Sequence, residues 1–442
     1  MKMESAQVIR TLERTAIPLG LLLLFVFTDH HAYGDGAVRA KQLTGLLANG
    51  EIPTSKYSMI GPLVSAPLWL AGRWFSAARS WLVHFNVVLF SLALLLLWTL
   101  LRDLVAEEIR RRFLLILIFG SMFGMHQTDY HGEVFTALFV AVGVAALVTG
   151  RNVLGATALV LGVANTPATM VGLGFVAAML CWERRQLRYL ALPVAAIAVY
   201  GLESWLFRGS LLASGYENAQ GYATALPYSG RPGFSYPLFF GIVSILFSFG
   251  KGLVLYAPGL LLPVRDRLAR EDGRALVMYR LWLAFLIGMI LVYAKWFAWY
   301  GGDFWGPRFF LFASVPASFA LAVRLAEEAS SVRQGVVTLA VLGFAFWVGL
   351  SGVVFGQRGL ELCRADNYAL ESFCWYVPEF SALFHPFVDR LSIDAQGSVM
   401  LVGTALVLAL LGVPLLRRLA RNAARELRSW RRRKSLRGPF RV

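Results

Sequence analysis

Charged side chains are scarce in this sequence. Of its 442 residues only 15% are Asp, Glu, Lys or Arg, whereas 57% are hydrophobic. A soluble domain carries about 25% charged residues, so the composition excludes a soluble globular protein. Apolar runs long enough to cross a hydrocarbon core of about 30 Å recur along almost the whole chain. They indicate an integral membrane protein and exclude a single cleaved signal peptide.

Cysteine and acidic residues are also few. Three cysteines do not make a disulfide framework, although Cys363 and Cys374 can pair if their loop faces an oxidising compartment. Of the formal net charge of +16, a large part lies in residues 417–442, which hold ten Arg and Lys434 against Glu426 alone. Such a tail is typical of a segment on an anionic cytoplasmic leaflet. It lacks the motifs of a nucleic-acid binder, so we expect membrane lipids and no nucleic acid as partners.

The distribution of basic residues predicts the orientation. The positive-inside rule places the basic clusters in the cytoplasm, and these are residues 2–14, 102–112, 184–188, 265–274, 324–333 and 417 onward. About twelve spans satisfy the rule with both termini inside. They are 17–27, 81–101, 113–126, 134–149, 153–164, 168–182, 189–207, 237–262, 276–296, 309–324, 334–355 and 398–416. The predicted fold is therefore an all-α polytopic membrane protein.

This orientation gathers the polar segments on the external face. They are the loops 29–80, 126–133, 208–236, 296–308 and 357–397. Within the first loop, the amphipathic segment 36–47 and the proline-containing segment 59–75 predict two helices that lie in the outer interface. We divide the chain into a transmembrane module with this loop (1–207), further transmembrane helices (208–416) and a basic cytoplasmic tail (417–442).

Ionisable residues at membrane depth are costly and usually functional. In "YGDG", Asp35 stands between two glycines where the first span would emerge. It can cap the following helix, or it can meet a ligand at the membrane surface. Lys56, in "SKYSMIGPL", can snorkel to bulk lipid or bind the phosphate of a lipid-linked donor.

The turn "HQTDYHGE" holds His126, Asp129, His131 and Glu133. These side chains can hold a divalent metal, although their spacing fits no standard metal signature and a second acidic residue facing Asp35 is the alternative. The sequence identifies no cofactor with certainty. A divalent metal ion is an open alternative, and His126 and His131 are the weak candidates for its ligands.

Two further segments carry cations. In "WYGGDFWGPR", Arg308 can bind an anionic group with its planar guanidinium, or it can simply pair with Asp303 in an aromatic-belt turn. In "SFGKGLVLYAP", Lys251 lies between glycines at apparent membrane depth. An unpaired lysine there indicates a broken helix that lines a cavity.

Together these segments resemble the GT-C superfamily of polytopic glycosyltransferases, in the branch of protein O-mannosyltransferases and the bacterial aminoarabinose transferase of lipid A. The resemblance rests on "YGDG", on "KYSMIGPL", which is close to the "KYPPGxPL" of such proteins, on "TDYHGE", and on "GKGLVLYAP" and "WYGGDFWGPR". It covers residues 10–320. It implies a GT-C-like fold with two interfacial helices in the first external loop.

The resemblance also implies residue roles. Asp35 would be the general base that deprotonates an acceptor hydroxyl, which then attacks the anomeric carbon of a polyprenyl-phosphate sugar. Asp129 or Glu133 would be the second acidic residue. The cations Lys56 and Arg308, together with Arg39 and Lys251, would bind the lipid phosphate. The acceptor would be a lipid, a glycan or a protein, and the site would face the periplasm from a bacterial inner membrane.

Two other functions remain open at this point. A transporter or flippase of lipid-linked sugars would need polar residues near mid-bilayer and internal repeats, and the sequence has no repeat. An inactive relative that serves as a structural partner would not need Asp35 and Lys56 together.

Overall fold

The chain folds into α-helices joined by turns, because a segment inside lipid must satisfy its backbone hydrogen bonds internally. The structure, a computed structural model, describes residues 2–217, 219–327, 331–389 and 392–436. Within these ranges β-type backbone pairing is limited to two isolated bridges, one between His31 and Asp129 and one between Gln220 and Pro232. Residues 437–442, the last part of the predicted basic tail, lie outside the described residues.

The first half of the chain forms eleven described helices. They are α1 (Lys2–Val26), α2 (Asp35–Asn49), α3 (Ile60–Trp74), α4 (Ala78–Val83), α5 (Phe85–Leu100), α6 (Glu107–Phe119), α7 (Phe123–His126), α8 (Gly132–Val148), α9 (Asn152–Asn165), α10 (Met170–Arg184) and α11 (Ala191–Arg208).

Nine more helices follow in the described part of the second half. They are α12 (Leu238–Phe247), α13 (Leu253–Tyr256), α14 (Arg265–Glu271), α15 (Gly273–Tyr293), α16 (Ser314–Ala326), α17 (Val332–Phe355), α18 (Ala365–Tyr368), α19 (Glu371–Tyr376) and α20 (Ala395–Leu436). Short 3₁₀ turns link them at Leu101–Asp103, Pro167–Thr169, Leu187–Leu190, Pro258–Leu261, Arg308–Ala313, Glu361–Arg364, Pro378–Phe380 and His385–Phe387.

Six helical segments in the described residues are long and apolar enough to cross a membrane. They are Phe85–Asp103, Leu187–Arg208, Gly273–Tyr293, Arg308–Ala326, Val332–Phe355 and Ala395–Ser429, and three shorter apolar helices accompany them at Gly132–Val148, Asn152–Asn165 and Leu238–Phe247. The membrane character predicted from composition is confirmed. The count of about twelve spans stays a prediction.

Several predicted spans are interrupted. The predicted span 81–101 is split between α4 and α5, and 113–126 is divided into α6 and α7. Helix α6 begins at Glu107, ahead of the predicted span, and its residues Arg111 and Arg112 are buried and paired with Glu13. The predicted span 237–262 breaks after Phe247 and resumes as α13.

The helices pack at close range where small residues allow it. Helices α8 and α9 pack against each other, as do α10 and α15, α17 and α20, and α6 and α16. In the α10–α15 contact, a Cβ atom on Gly288 would lie 2.6 Å from the Cα atom of Gly172. Such close backbone approach is typical of membrane helix pairs, where packing and not hydrophobicity drives association.

The loops predicted to be external also contain regular structure. The first loop contains α2 and α3, which overlap the two helices predicted at 36–47 and 59–75, while their position in the interface stays a prediction. The loop after α17 is closed by a disulfide between Cys363 and Cys374, whose Cα atoms are 6.0 Å apart. We call residues 357–389 the lid. It is attached to the break after α12, where the Gly250 amide donates to the Trp375 carbonyl at 3.0 Å.

Glu13 connects α1 to α6 at the end of the bundle predicted to be cytoplasmic. Its side chain is only 1% exposed, and its two oxygens lie 2.7 Å from Arg111 Nε and 3.2 Å from Arg112 Nε. Removing one partner of a buried ion pair leaves uncompensated charge and costs about 3–5 kcal/mol.

We therefore expect Glu13→Gln to lower the apparent melting temperature of the detergent-purified protein markedly. Glu108→Gln is the matched control, because Glu108 also pairs with Arg112 but is 45% exposed, and exposed pairs contribute about 0–1 kcal/mol. Equal melting temperatures for Glu13→Gln and the control would contradict the role given to Glu13.

Candidate active site

Asp35 is the first residue of α2 and directly follows Gly34. At Gly34 the backbone has φ 51°, and a Cβ atom there would lie 2.9 Å from the Phe304 ring, so only glycine fits. The Asp35 carboxylate accepts a hydrogen bond from the Tyr57 hydroxyl at 2.5 Å and another from Arg308 Nη2 at 2.6 Å. Gly34 is the N-cap of α2 and no side-chain cap is made, so the alternative that Asp35 caps this helix is wrong.

The surroundings of Asp35 favour its charged form. Burial alone would raise the pKa of this carboxyl, but the Arg308 charge and the hydrogen bonds from Tyr57 and Arg308 outweigh burial and lower it below its ordinary value. Burial and the neighbouring Asp35 charge raise the pKa of Tyr57, which keeps its proton and remains a donor. The carboxylate is 26% exposed, so a ligand can reach it.

Arg308 stands between two carboxylates. Besides its contact with Asp35, its Nε lies 3.8 Å from Glu133 Oε1 and donates to the Gly301 carbonyl at 2.6 Å. Its guanidinium carbon is 4.1 Å from the centre of the Phe304 ring. Its Nη1 is buried and has no hydrogen-bond partner in the described residues, so one donor is left for a ligand. The alternative pairing of Arg308 with Asp303 is wrong, because Asp303 pairs with Arg364.

The two acidic residues of "HQTDYHGE" have different surroundings. Glu133 lies near Arg308 Nε, whereas Asp35 contacts Nη2 of the same guanidinium. Asp129 instead accepts from the Tyr33 amide at 3.1 Å and lies 3.0 Å from His131 Nε2. It therefore holds the backbone that leads to Asp35 and makes no direct contact with the Arg308 pair.

The predicted cations of the first loop surround the ring of Tyr57. The guanidinium of Arg39 is 5.1 Å from the ring centre, and Lys56 Nζ is 5.2 Å from it and 5.3 Å from the ring of Tyr216. Arg39 is buried and donates to the Ser58 carbonyl at 3.0 Å. Lys56 is exposed and has no ion-pair partner within the described ranges, so its charge is available to a ligand.

A buried ion pair that the sequence analysis missed fixes the segment that carries Lys56 and Tyr57. Glu203 and Arg208, near the end of α11, pair with each other and are both shielded from solvent. Glu203 accepts from the Met59 amide at 2.9 Å, and Arg208 donates to the Ser55 carbonyl at 3.1 Å. Glu203 lies in an otherwise apolar helix, and this is the signal that could have identified it.

Lys251 occupies the break between α12 and α13. Its Nζ donates to the carbonyls of Gly302, Phe304 and Gly306. These bonds use all three ammonium protons and fix the turn that leads to Arg308. Direct binding of a phosphate by Lys251 stays a prediction, since it would require one of these bonds to open.

The two histidines do not make a metal site in this structure. His126 is buried beside Trp305, with an Nε2 that has no partner among the described residues, and His131 faces Asp129. Within the described parts of the chain, no group of three or more His, Cys, Asp or Glu side chains is arranged to hold a metal ion. The donor set therefore does not fit a divalent metal, and no step below depends on one.

Comparison with known proteins identifies a fold. No protein-family model and no curated protein matches this sequence. The chain is similar to the crystal structure of ArnT from Cupriavidus metallidurans bound to undecaprenyl phosphate, with a TM-score of 0.50 and 14% sequence identity over 91% of this chain and 77% of that one. At this identity the likeness establishes a shared fold. It supports the GT-C-like membrane fold expected from the sequence.

The Glu203–Arg208 pair gives a prediction that does not depend on activity. We expect Glu203→Ala to speed amide hydrogen exchange in a peptide covering residues 55–61, because the Met59 amide loses its acceptor and Arg208 loses its counter-charge. Glu217→Ala is the control, since Glu217 is exposed and accepts only from its own turn, at Ser214 and Gly215. Unchanged exchange in both variants would show that this pair does not fix the segment.

Proposed function

We propose that the protein is a membrane glycosyltransferase that moves a sugar from a polyprenyl-phosphate donor to a lipid, glycan or protein acceptor. The observation that carries this proposal is the partly exposed Asp35 carboxylate, ionised and oriented by Tyr57 and Arg308. The fold shared with ArnT, which was crystallised with undecaprenyl phosphate, supports a polyprenyl-phosphate donor.

Asp35 is the general base in this proposal. It takes the proton of the acceptor hydroxyl as that oxygen attacks the anomeric carbon of the sugar. The bond between the anomeric carbon and the phosphate oxygen breaks, and its electron pair stays on the leaving polyprenyl phosphate. A positioned base contributes about 10²–10⁴-fold to such a step.

Cations stabilise the leaving phosphate. Lys56 has no carboxylate partner in the described structure, and Arg308 has a free Nη1, so both can take phosphate oxygens. Arg39 supports them through its contacts with Tyr57 and Ser58. Lys251 acts through the turn that it holds in front of Arg308.

Donor binding and base strength are coupled through Arg308. A phosphate on Arg308 competes with Asp35 for the guanidinium, which weakens the contact that lowers the pKa of Asp35. The carboxylate then becomes a stronger base when the donor is present. Glu133, near Arg308 Nε, is the second acidic residue and holds the guanidinium in place during this exchange. Asp129 positions the loop through Tyr33.

The reaction is proposed to occur at the periplasmic face of a bacterial inner membrane. The lid carries the Cys363–Cys374 disulfide, and disulfides persist in oxidising compartments such as the periplasm. The positive-inside rule places the lid and the Asp35 loop on the same external side.

The test is sugar transfer from a mixed pool of polyprenyl-phosphate sugars in membranes that carry matched amounts of protein. We expect Asp35→Asn to lose about 10²–10⁴-fold in transfer rate, because the amide cannot accept the acceptor proton. Asp29→Asn is the matched control, since Asp29 is an exposed aspartate of the same loop, and it should transfer like the wild type.

Equal transfer by wild type and Asp35→Asn would remove Asp35 as the base. No transfer by any form would contradict the donor class and favour movement of lipid-linked sugars across the bilayer, which proteoliposomes would then reveal.

A further inference from the structure

Aromatic rings from three different loops lie close to the segment that carries Asp35. Tyr222, from loop 208–236, stacks on Tyr368 of the lid with ring centres 4.0 Å apart and an angle of 12° between the planes. Tyr33 comes from the first loop. Tyr222 and Tyr33 are 47% and 46% exposed, so ring surface remains open to a ligand even though both tyrosines pack against the protein.

A charge-neutral ion pair completes this border. Arg364 of the lid pairs with Asp303, and its guanidinium carbon is 6.0 Å from the centre of the Tyr33 ring. The side chain of Arg364 is 35% exposed and that of Asp303 is 14% exposed. We call Tyr33, Tyr222, Asp303, Arg364 and Tyr368 the rim.

One aromatic ring separates the rim from the candidate active site. The ring of Phe304 lies 6.1 Å from the ring of Tyr33 on one side and 4.1 Å from the guanidinium of Arg308 on another. Tyr33 is also two residues from Asp35 in the chain. A molecule on the rim would therefore lie beside the carboxylate proposed as the base.

The backbone that presents Tyr368 is strained. Asp366, Asn367 and Tyr368 have φ values of 49°, 53° and 68°, a left-handed conformation that is unfavourable for a bulky non-glycine residue such as Tyr368. Such strain persists only where the surrounding structure determines it, and it clusters at ligand-binding sites. Here Cys363 and Arg364 precede the strained turn and Cys374 follows it, so the disulfide encloses the turn and the Arg364–Asp303 pair anchors its start.

We propose that the rim binds a saccharide unit of the acceptor; this rests on the function proposed above. Tyrosine rings offer apolar faces for the C–H face of a sugar, and a carboxylate beside a guanidinium offers acceptors and donors for hydroxyl groups. Arg364 is already neutralised by Asp303, which disfavours a phosphate. A hydrocarbon chain offers no hydrogen-bonding group to the partly exposed Arg364–Asp303 pair. The rim contains no described strand whose edge could pair with a peptide.

The test is binding of methyl glycosides of glucose, galactose, mannose and N-acetylglucosamine to protein in zwitterionic nanodiscs, measured by saturation-transfer NMR. We expect at least one glycoside to bind the wild type and to bind Tyr222→Ala about fivefold more weakly, the loss typical of an aromatic contact. Tyr222→Phe keeps the ring and should retain binding. Phe387→Ala is the control, because Phe387 is a 71% exposed aromatic residue of the lid that packs on Trp347.

Several results would overturn the proposal. They are the binding of no glycoside, equal binding by wild type and Tyr222→Ala, and rim-dependent binding of a tetrapeptide panel in place of glycosides. Because the readout is binding and not transfer, Tyr222→Ala can fail to weaken glycoside binding while Asp35→Asn still loses sugar transfer, so a failed rim and a failed base are distinguishable. Displacement by a glycosyl diacylglycerol in the nanodisc would indicate a lipid-borne saccharide, and displacement only by a soluble oligosaccharide would indicate a free glycan.

Discussion

The contact between Asp35 and Arg308 is the constraint on which the rest of the site depends. It joins two residues 273 positions apart, one on the loop between α1 and α3 and one at the start of the segment before α16. A largely buried arginine needs a counter-charge, and Asp35 and Glu133 supply it at Nη2 and near Nε. The turn held by Lys251 and the segment held by Glu203 and Arg208 bring both loops to this contact.

In the resting site, Arg308 and Asp35 neutralise each other's charge. Arg308 holds Asp35 in its ionised form, and Asp35 occupies the cation that a phosphate would need. In the proposed reaction the donor phosphate displaces Asp35 from Arg308. Binding of the phosphate therefore also makes the Asp35 carboxylate available as the base. Water-poor surroundings strengthen both interactions.

The sequence was sufficient to predict the membrane class and most charged residues of the site, because ionisable groups stand out in an apolar chain. It could not separate Glu133 from Asp129, since both lie in one turn and only the three-dimensional fold decides which faces Arg308. The sequence analysis also missed Tyr57 as the hydrogen-bond partner of Asp35, although Tyr57 lies in the motif "KYSMIGPL". Hydropathy also could not show that Arg111 and Arg112 of α6 are buried, since their partner Glu13 lies on another helix.

The most direct test of this account is a structure of the protein with a polyprenyl phosphate bound. The account predicts that the phosphate lies within hydrogen-bond distance of Arg308 and Lys56, and that the Arg308–Asp35 contact has opened while Glu133 still faces Arg308. A phosphate bound elsewhere, with the contact between Asp35 and Arg308 intact, would contradict it.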